Sequence, residues 1–173
     1  MIPHEKERLV RVLADLFRNH FIDRKPGQWV LSGSGVLCLH GIDRGRPMGD
    51  VDIFCSTRAW FDIYTHGLVG LAHQGKLPWR VFTTDPDDPK RRNDPPYLYK
   101  EMHGIEVNIF SSWRKRASGN IDVGAWIHNA EMVEGWPCVP LQFLLDWKEQ
   151  EGRAKDATDI VAIKRYLEKR GKI

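Results

Sequence analysis

Gln28-Trp-Val-Leu-Ser-Gly-Ser-Gly35 and Asp50-Val-Asp-Ile-Phe-Cys55 are the two segments that decide the fold of this 173-residue chain. The first predicts a short buried strand, which the turn Gly33-Ser34-Gly35 ends sharply before an apolar helix. The second alternates acidic and apolar residues with the period of a strand, so Asp50 and Asp52 project from the same face. Together they predict a strand, a glycine turn, a helix and then an acidic strand.

The rest of the pattern predicts an α/β (α+β) fold, in which a mixed sheet is flanked by helices and followed by a helical C-terminal extension. We expect a single domain over 1–173, with a core at about 1–135 and the extension at about 136–173. Further helices are predicted at 4–19, near 58–64 with Ser56-Thr57 as a cap, from Pro140 onward, and after a cap at Asp156–Asp159. Further strands are predicted at 79–83, 97–102 and 105–110. The last two are joined by a hairpin turn at His103-Gly104, and a surface loop is predicted at 84–96.

The composition excludes several classes of protein. Hydrophobic residues make up 42% of the chain and the formal net charge is only +3, and together these values argue against global disorder. The charge is also too small to indicate nucleic-acid binding by itself. No apolar run approaches the roughly 18 residues of a membrane span, and the charged N-terminus shows no secretory signal, so we expect a cytoplasmic protein. Cys38, Cys55 and Cys138 lie among apolar neighbours and are predicted to be buried free thiols.

The pair Asp50 and Asp52 is the most informative feature for function. Two carboxylates on one strand face, with β-carbons about 7 Å apart, can converge on one or two hard cations such as Mg²⁺ or Mn²⁺. Two such ions can activate an attacking oxygen and stabilise a leaving one in phosphoryl transfer. An acidic strand with a solvated face explains the same pattern equally well.

The Gly33-Ser34 turn strengthens the case for an anion site beside that pair. Gly33 lets backbone N–H groups approach a phosphate, Ser34 can donate a hydroxyl hydrogen bond, and the N-terminus of the following helix favours an anion. The alternative is a plain tight turn. Position 32 is Ser rather than Gly and no Gly-Lys-Ser/Thr follows, so the segment is neither a nucleophile elbow nor a P-loop.

The segments Leu31-Ser-Gly-Ser-Gly-Val-Leu-Cys-Leu-His-Gly41 and Gly49-Asp-Val-Asp-Ile-Phe54 resemble the signature of the DNA polymerase beta-like nucleotidyltransferases. The resemblance is strongest over residues 28–55 and points to small bacterial and phage members, including those of toxin–antitoxin and abortive-infection systems. It implies that Gly33 and Ser34 bind the phosphates of an NTP. It also implies that Asp50 and Asp52 are magnesium ligands.

A weaker resemblance extends to the C-terminus. Leu144-Leu-Asp-Trp-Lys148 and Gly152-Arg-Ala-Lys-Asp-Ala-Thr-Asp-Ile160 are similar to the helix-borne Lys and the Arg-x-Lys-Asp-x-x-Asp-Ile segment of these small members, which implies nucleotide contacts from Lys148, Arg153 and Lys155. Lys148 also lies on the apolar stripe of its helix, where its ammonium either emerges beside an anion or snorkels to the surface. Arg153 and Lys155 could equally belong to a helix start, with the two aspartates of the segment completing its cap.

The family also expects a third carboxylate on a later strand. In Gly104-Ile-Glu-Val-Asn-Ile-Phe110, Glu106 and Asn108 share the polar face. The closest alignment places Asn108 where the family has Asp, whereas a shift of two residues places Glu106 there as third metal ligand or base. We favour Glu106 and keep Asn108 as the alternative.

These features predict a metal-dependent nucleotidyltransferase that moves an NMP from an NTP to an acceptor hydroxyl and releases pyrophosphate. The acceptor, which could be an RNA or a protein, and the oligomeric state are not predicted. The main rival is a catalytically degenerate protein of the same fold with a binding or regulatory, antitoxin-like role, for which Asn108 is the best support. A third interpretation is RNA binding through the basic clusters Lys90-Arg-Arg92, Arg114-Lys-Arg116 and Lys164–Arg170, which otherwise form solvated faces.

Overall fold

The computed structural model describes residues 3–19, 27–69, 79–82, 96–112, 114–115 and 119–171. The strands are β1 (Trp29–Ser32), β2 (Asp50–Cys55), β3 (Arg80–Phe82), β4 (Tyr97–Met102), β5 (Ile105–Phe110), β6 (Arg114–Lys115), β7 (Gly119–Asn120), β8 (Glu131–Val133) and β9 (Trp136–Cys138). The helices are α1 (Pro3–Asn19), α2 (Gly33–Leu39), α3 (Thr57–Val69), α4 (Val123–His128), α5 (Leu141–Glu151) and α6 (Ala157–Lys169), with a 3₁₀ turn at Ala154–Asp156 before α6.

Seven of these strands form one mixed sheet in the order β3-β4-β5-β2-β1-β9-β8, and β6 pairs with β7 separately. β2 runs antiparallel to β1 and parallel to β5, and β1 runs parallel to β9. Because β1 and β2 are antiparallel, the carboxyl end of β1 meets the amino end of β2 at the same edge of the sheet. The glycine turn that follows β1 therefore lies next to the start of the acidic strand.

The helix predicted at 4–19 is confirmed as α1. Leu9, Val12, Leu13 and Leu16 recur every three or four residues and are fully buried. The central strands contribute further buried residues to this core, such as Trp29. Burial of one such side chain contributes roughly 1.5–3 kcal/mol, so this apolar face holds α1 against the rest of the fold.

Local sequence signals located the β4–β5 hairpin and the start of α3 correctly. His103 (φ 52°) and Gly104 (φ 69°) are both left-handed, which is the backbone that a two-residue hairpin turn requires. At α3, the Ser56 hydroxyl accepts a hydrogen bond from the Ala59 N–H at 3.2 Å, so the predicted cap is confirmed.

Sequence patterns did not identify the five short elements that the structure describes between β5 and α5, namely β6, β7, α4, β8 and β9. Trp136–Cys138 is a strand of the central sheet, where Leu31 of β1 is the register partner of Cys138. The helical part of the C-terminus therefore begins at Leu141, after the last strand. Most of the loop predicted at 84–96 and the cluster at 90–92 lie outside the described residues.

The three cysteines are free and buried, as predicted. Burial raises the pKa of each thiol, that of Cys138 to about 12, so these groups stay protonated at neutral pH. In the part of the chain that the structure describes, no helix is long and apolar enough to cross a membrane.

Candidate active site

Polar side chains from three neighbouring strands line up on one face of the sheet. Asp52 of β2 is the register partner of Ser32 on β1 and of Asn108 on β5. Partners in adjacent strands project to the same side, so the three side chains form a row beneath the glycine turn. Ser32 and Asn108 are buried, and Asp52 is half-buried.

Gly33 is required at the turn because of its contact with this row. Its φ of +61° lies in the left-handed region, and a Cβ added there would come within 2.6 Å of Asp52 Oδ2. Only a residue without a side chain lets the Asp52 carboxylate lie against the backbone of the turn. The Gly-Ser pair of the sequence is thus explained by the acidic strand that packs beneath it.

Ser34 ties the same turn to the start of β2. Its hydroxyl donates a hydrogen bond to the backbone carbonyl of Asp50 at 2.6 Å, and it lies 3.4 Å from Asp50 Oδ1. The hydroxyl proton is therefore used inside the protein. In this arrangement Ser34 connects the glycine turn to the start of β2.

The Asp50 and Asp52 carboxylates lie close enough to influence each other. Burial, and then the negative charge of Asp50, raise the pKa of Asp52 to about 7. The opposing influences are a hydrogen bond from Asn108 Nδ2, at 3.4 Å from Asp52 Oδ1, and the positive charges of Lys155 and Arg153. Negative charge on Asp52 is thus costly in the protein alone, and a cation beside the pair would reduce that cost.

Lys148 lies across from the acidic pair and is buried. Its ammonium donates to Asp156 Oδ1 at 2.6 Å and to Asp159 Oδ2 at 2.9 Å. The structure thus places this ammonium beside two carboxylates of the chain itself and not at the surface. The side-chain cap predicted for Asp156 is wrong: Asp156 is the N-cap residue of α6, but its carboxylate binds Lys148 and Arg153 instead of the helix N–H groups.

Three arginines complete this network. Arg153 Nε donates to Asp156 Oδ2 at 2.5 Å, Arg46 Nη2 donates to Asp159 Oδ2 at 2.9 Å, and Arg44 Nε lies 3.4 Å from Asp159 Oδ1. Burial raises the pKa of Asp156, but the hydrogen bonds from Lys148 and Arg153 outweigh it, so that pKa lies below its usual value. We call the set the basic wall; it consists of Arg44, Arg46, Lys148 and Arg153 with Asp156 and Asp159.

One cavity of about 240 Å³ lies between the basic wall and the acidic pair. It brings together most of the residues that the sequence singled out, namely Gly33, Ser34, Asp50, Asp52, Lys148, Arg153 and Lys155. Sequence reasoning missed Arg44 and Arg46, which also line it. Two arginines flanking Gly45 in the segment that leads into the acidic strand were the signal that could have found them.

Glu106 and Asn108 occupy different positions relative to the acidic pair. Asp50 is the register partner of Glu106, which is exposed, whereas Asp52 is the partner of the buried Asn108. Oδ1 of Asn108 is buried and has no hydrogen-bond partner among the described residues. Within those same residues, no group of three His, Cys, Asp or Glu side chains is placed to hold a metal ion.

Comparison with known proteins agrees with this architecture. No protein-family description matches the sequence, and no curated protein matches it. Among solved structures, the chain is similar to a proposed nucleotidyltransferase from Thermotoga maritima, with a TM-score of 0.55 and 19% identity over 98% of this chain and 97% of that chain. The fold is nucleotidyltransferase-like. The predicted fold class is thereby confirmed, and the reaction has to be argued from the site.

Proposed function

We propose that this nucleotidyltransferase-like chain is a metal-dependent nucleotidyltransferase, which transfers an NMP from an NTP to an acceptor hydroxyl and releases pyrophosphate. The observation that carries the proposal is one cavity that is lined both by the acidic pair, Asp50 and Asp52, and by the basic wall. A nucleoside triphosphate that binds together with a divalent cation needs carboxylates for the cation and positive side chains for its phosphates.

The acidic side fits Mg²⁺ or Mn²⁺. Mg²⁺ is usually held by one or two carboxylates, and waters and substrate phosphates complete its shell, so Asp50 and Asp52 supply a sufficient donor set from the chain. The raised pKa of Asp52 supports this fit, because burial and the charge of Asp50 create a group that a cation stabilises. When bound, the ion would supply Lewis-acid stabilisation of the charge that develops during phosphoryl transfer.

The chain's own residues would prepare and complete the transfer. Ser34 fixes the start of β2 through its 2.6 Å hydrogen bond, and Gly33 admits the Asp52 carboxylate beneath the turn. The acceptor oxygen would form a bond to the α-phosphorus as the bond to pyrophosphate breaks, and the proton of the acceptor hydroxyl would pass to a base. Glu106 remains the proposed base, because it is exposed and lies on the same face as Asp50.

The basic wall would compensate the charge of the phosphates. Lys148, Arg153 and Lys155, the nucleotide-binding residues proposed from the sequence, all line the cavity. Lys148 would act through the two carboxylates it binds, since its ammonium is already paired on both sides. Arg153 and the exposed Lys155 are the members of this group with more access to the cavity.

The experiment is transfer of label from each α-³²P-NTP in the presence of Mg²⁺ or Mn²⁺ and a cell extract as the source of acceptors. We expect labelled product with the wild-type chain and loss of at least about 100-fold with Asp50→Asn or Asp52→Asn, the range found when one electrostatic contact to a transition state is removed. Asp62→Asn removes an exposed carboxylate of α3 and serves as the matched control. Full transfer by both site variants would refute the proposal.

The rival function is a binding or regulatory protein with a degenerate site. The observation that favours it is the neutral amide of Asn108, 3.4 Å from Asp52, on the strand where the resembling family has a carboxylate. This rival predicts that NTP in the presence of Mg²⁺ leaves the thermal unfolding of the chain unchanged. A metal-dependent rise in unfolding temperature with NTP would favour the enzyme.

A further inference from the structure

The basic wall carries more positive than negative charge. Within the described residues, its four cationic side chains form ion pairs with two carboxylates, those of Asp156 and Asp159. Asp159 alone contacts three of the cations. Buried charges in proteins are normally paired, so a wall with this surplus is suited to an anion that enters the cavity.

The inner members of the wall are committed to contacts within the protein. The Lys148 ammonium binds both carboxylates, and only 4% of its side chain is exposed. Arg44 is equally buried, and it donates from Nη2 to the backbone carbonyl of Pro47 at 3.0 Å as well as facing Asp159. Arg153 is held against Asp156 and lies over the Trp147 ring at 5.0 Å.

Arg46 differs from these residues in its exposure. Its side chain is 38% exposed, and its Nη2 donates a hydrogen bond to Asp159 Oδ2 at 2.9 Å. A guanidinium has five N–H donors, so this contact leaves capacity for a second partner. Arg46 also borders a neighbouring cavity of about 310 Å³, which places it where the two cavities meet.

The hydroxyl of Ser34 already has a partner within the protein. Its proton is directed at the Asp50 carbonyl, and the turn is there to admit Asp52. Among the side chains that line the cavity, the cationic donors therefore belong to the basic wall and to Lys155. Arginine also suits a phosphate particularly well, because its planar fork can donate two parallel hydrogen bonds.

From this arrangement we infer that Arg46 binds the polyphosphate chain of the nucleotide and that Asp159 is the positioning residue that aims the Arg46 guanidinium into the cavity. The inference rests on the proposed function for the identity of the ligand. It adds Arg46, which the resemblance did not include, and gives Asp159 a role that the resemblance did not specify. It also assigns Lys148 to holding Asp159 in place rather than to contacting the phosphates.

The test is calorimetric titration of the full chain with inorganic tripolyphosphate in the presence of Mg²⁺, followed by the same titration with an NMP. We expect Arg46→Ala to weaken tripolyphosphate binding about 10- to 100-fold, as expected for loss of a charged hydrogen-bond pair, and to change NMP binding much less. The affinity of Arg46→Lys for tripolyphosphate should lie between those of the wild type and Arg46→Ala, because an ammonium keeps the charge but lacks the planar pair of donors of a guanidinium. Arg58→Ala removes an exposed arginine of α3, at the opposite end of β2, and should bind as the wild type.

Asp159 is tested through its coupling to Arg46. We expect Asp159→Asn to weaken tripolyphosphate binding in the wild-type background. In the double variant with Arg46→Ala it should cause little further loss of affinity, because both changes act on one guanidinium. A purely structural role would lower the unfolding temperature and leave the two effects on binding additive. Additive effects would therefore overturn the positioning role.

The outcomes separate this inference from the proposed function. Tripolyphosphate binding by Arg46→Ala equal to that of the wild type overturns the inference, even if labelled nucleotide is transferred. Binding that depends on Arg46 without transfer to any acceptor supports the anion site and counts against the enzyme. A wild-type chain that binds neither tripolyphosphate nor NTP overturns both.

Discussion

Gly33 and the carboxylate of Asp52 lie so close together that no side chain fits at position 33. A Cβ at position 33 would lie 2.6 Å from Asp52 Oδ2. This contact joins the turn, which is the most recognisable part of the sequence, to the carboxylate proposed as a metal ligand.

Gly33→Ala should therefore displace Asp52 and lower nucleotide transfer by more than about tenfold, since small misplacements of reacting groups are costly. The added Cβ also strains a backbone with φ of +61°, at a cost of about 1–2 kcal/mol in the free energy of unfolding. Gly135→Ala is the control, because Gly135 has a φ of +83° and open space around its Cβ position. Equal transfer activities of the two variants would show that the Asp52 contact does not matter.

Lys148→Met should be strongly destabilising. It leaves the buried carboxylates of Asp156 and Asp159 without their shared partner, and breaking a buried ion pair costs about 3–5 kcal/mol. Lys164→Met removes the exposed pair with Glu149, which should cost at most about 1 kcal/mol. Urea denaturation of both variants at pH 7 measures the difference, and equal losses would contradict a structural role for Lys148.

Local sequence signals predicted individual helices and strands better than they predicted which elements and side chains contact each other. The β4–β5 hairpin was predictable because two six-residue strands flank the turn His103-Gly104. β8 and β9 are joined by the similar turn Glu134-Gly135, but each is only three residues long, and β9 contains a proline and completes its pairing with β1 far away in the sequence. The same distinction holds in the site. Asp50 and Asp52 are recognisable from a spacing of two, but Arg46 meets Asp159 across 113 residues, and no periodicity reports such a contact.

The raised pKa of Asp52 predicts a specific pH dependence. Its ordinary value of 3.8 in the unfolded chain rises to about 7 in the folded protein, so between these values the folded state binds the additional proton and stability falls as pH rises. Asp52→Asn should remove this loss and be more stable than the wild type at pH 7 by about 1–3 kcal/mol in metal-free buffer. Denaturation at pH 4 and at pH 7, with Asp62→Asn as control, tests this; an unchanged pH slope in Asp52→Asn would exclude the shift.

Asn108→Asp tests whether the third strand adjoins a cation site. Without metal, a new buried carboxylate 3.4 Å or so from Asp52 should lower the stability at pH 7 by about 1–3 kcal/mol, because two like charges then face each other. With saturating Mg²⁺, the same carboxylate becomes an additional ligand. A tenfold gain in Mg²⁺ affinity would raise the free energy of unfolding by about 1.4 kcal/mol more than Mg²⁺ does in the wild type. Thermal unfolding with and without Mg²⁺ gives both quantities, and Gln28→Glu adds a comparable charge to an exposed position just before β1 as the control. A Mg²⁺-linked shift that is no larger in Asn108→Asp than in the wild type would place the cation away from β5 and leave Asp50 as the nearer ligand.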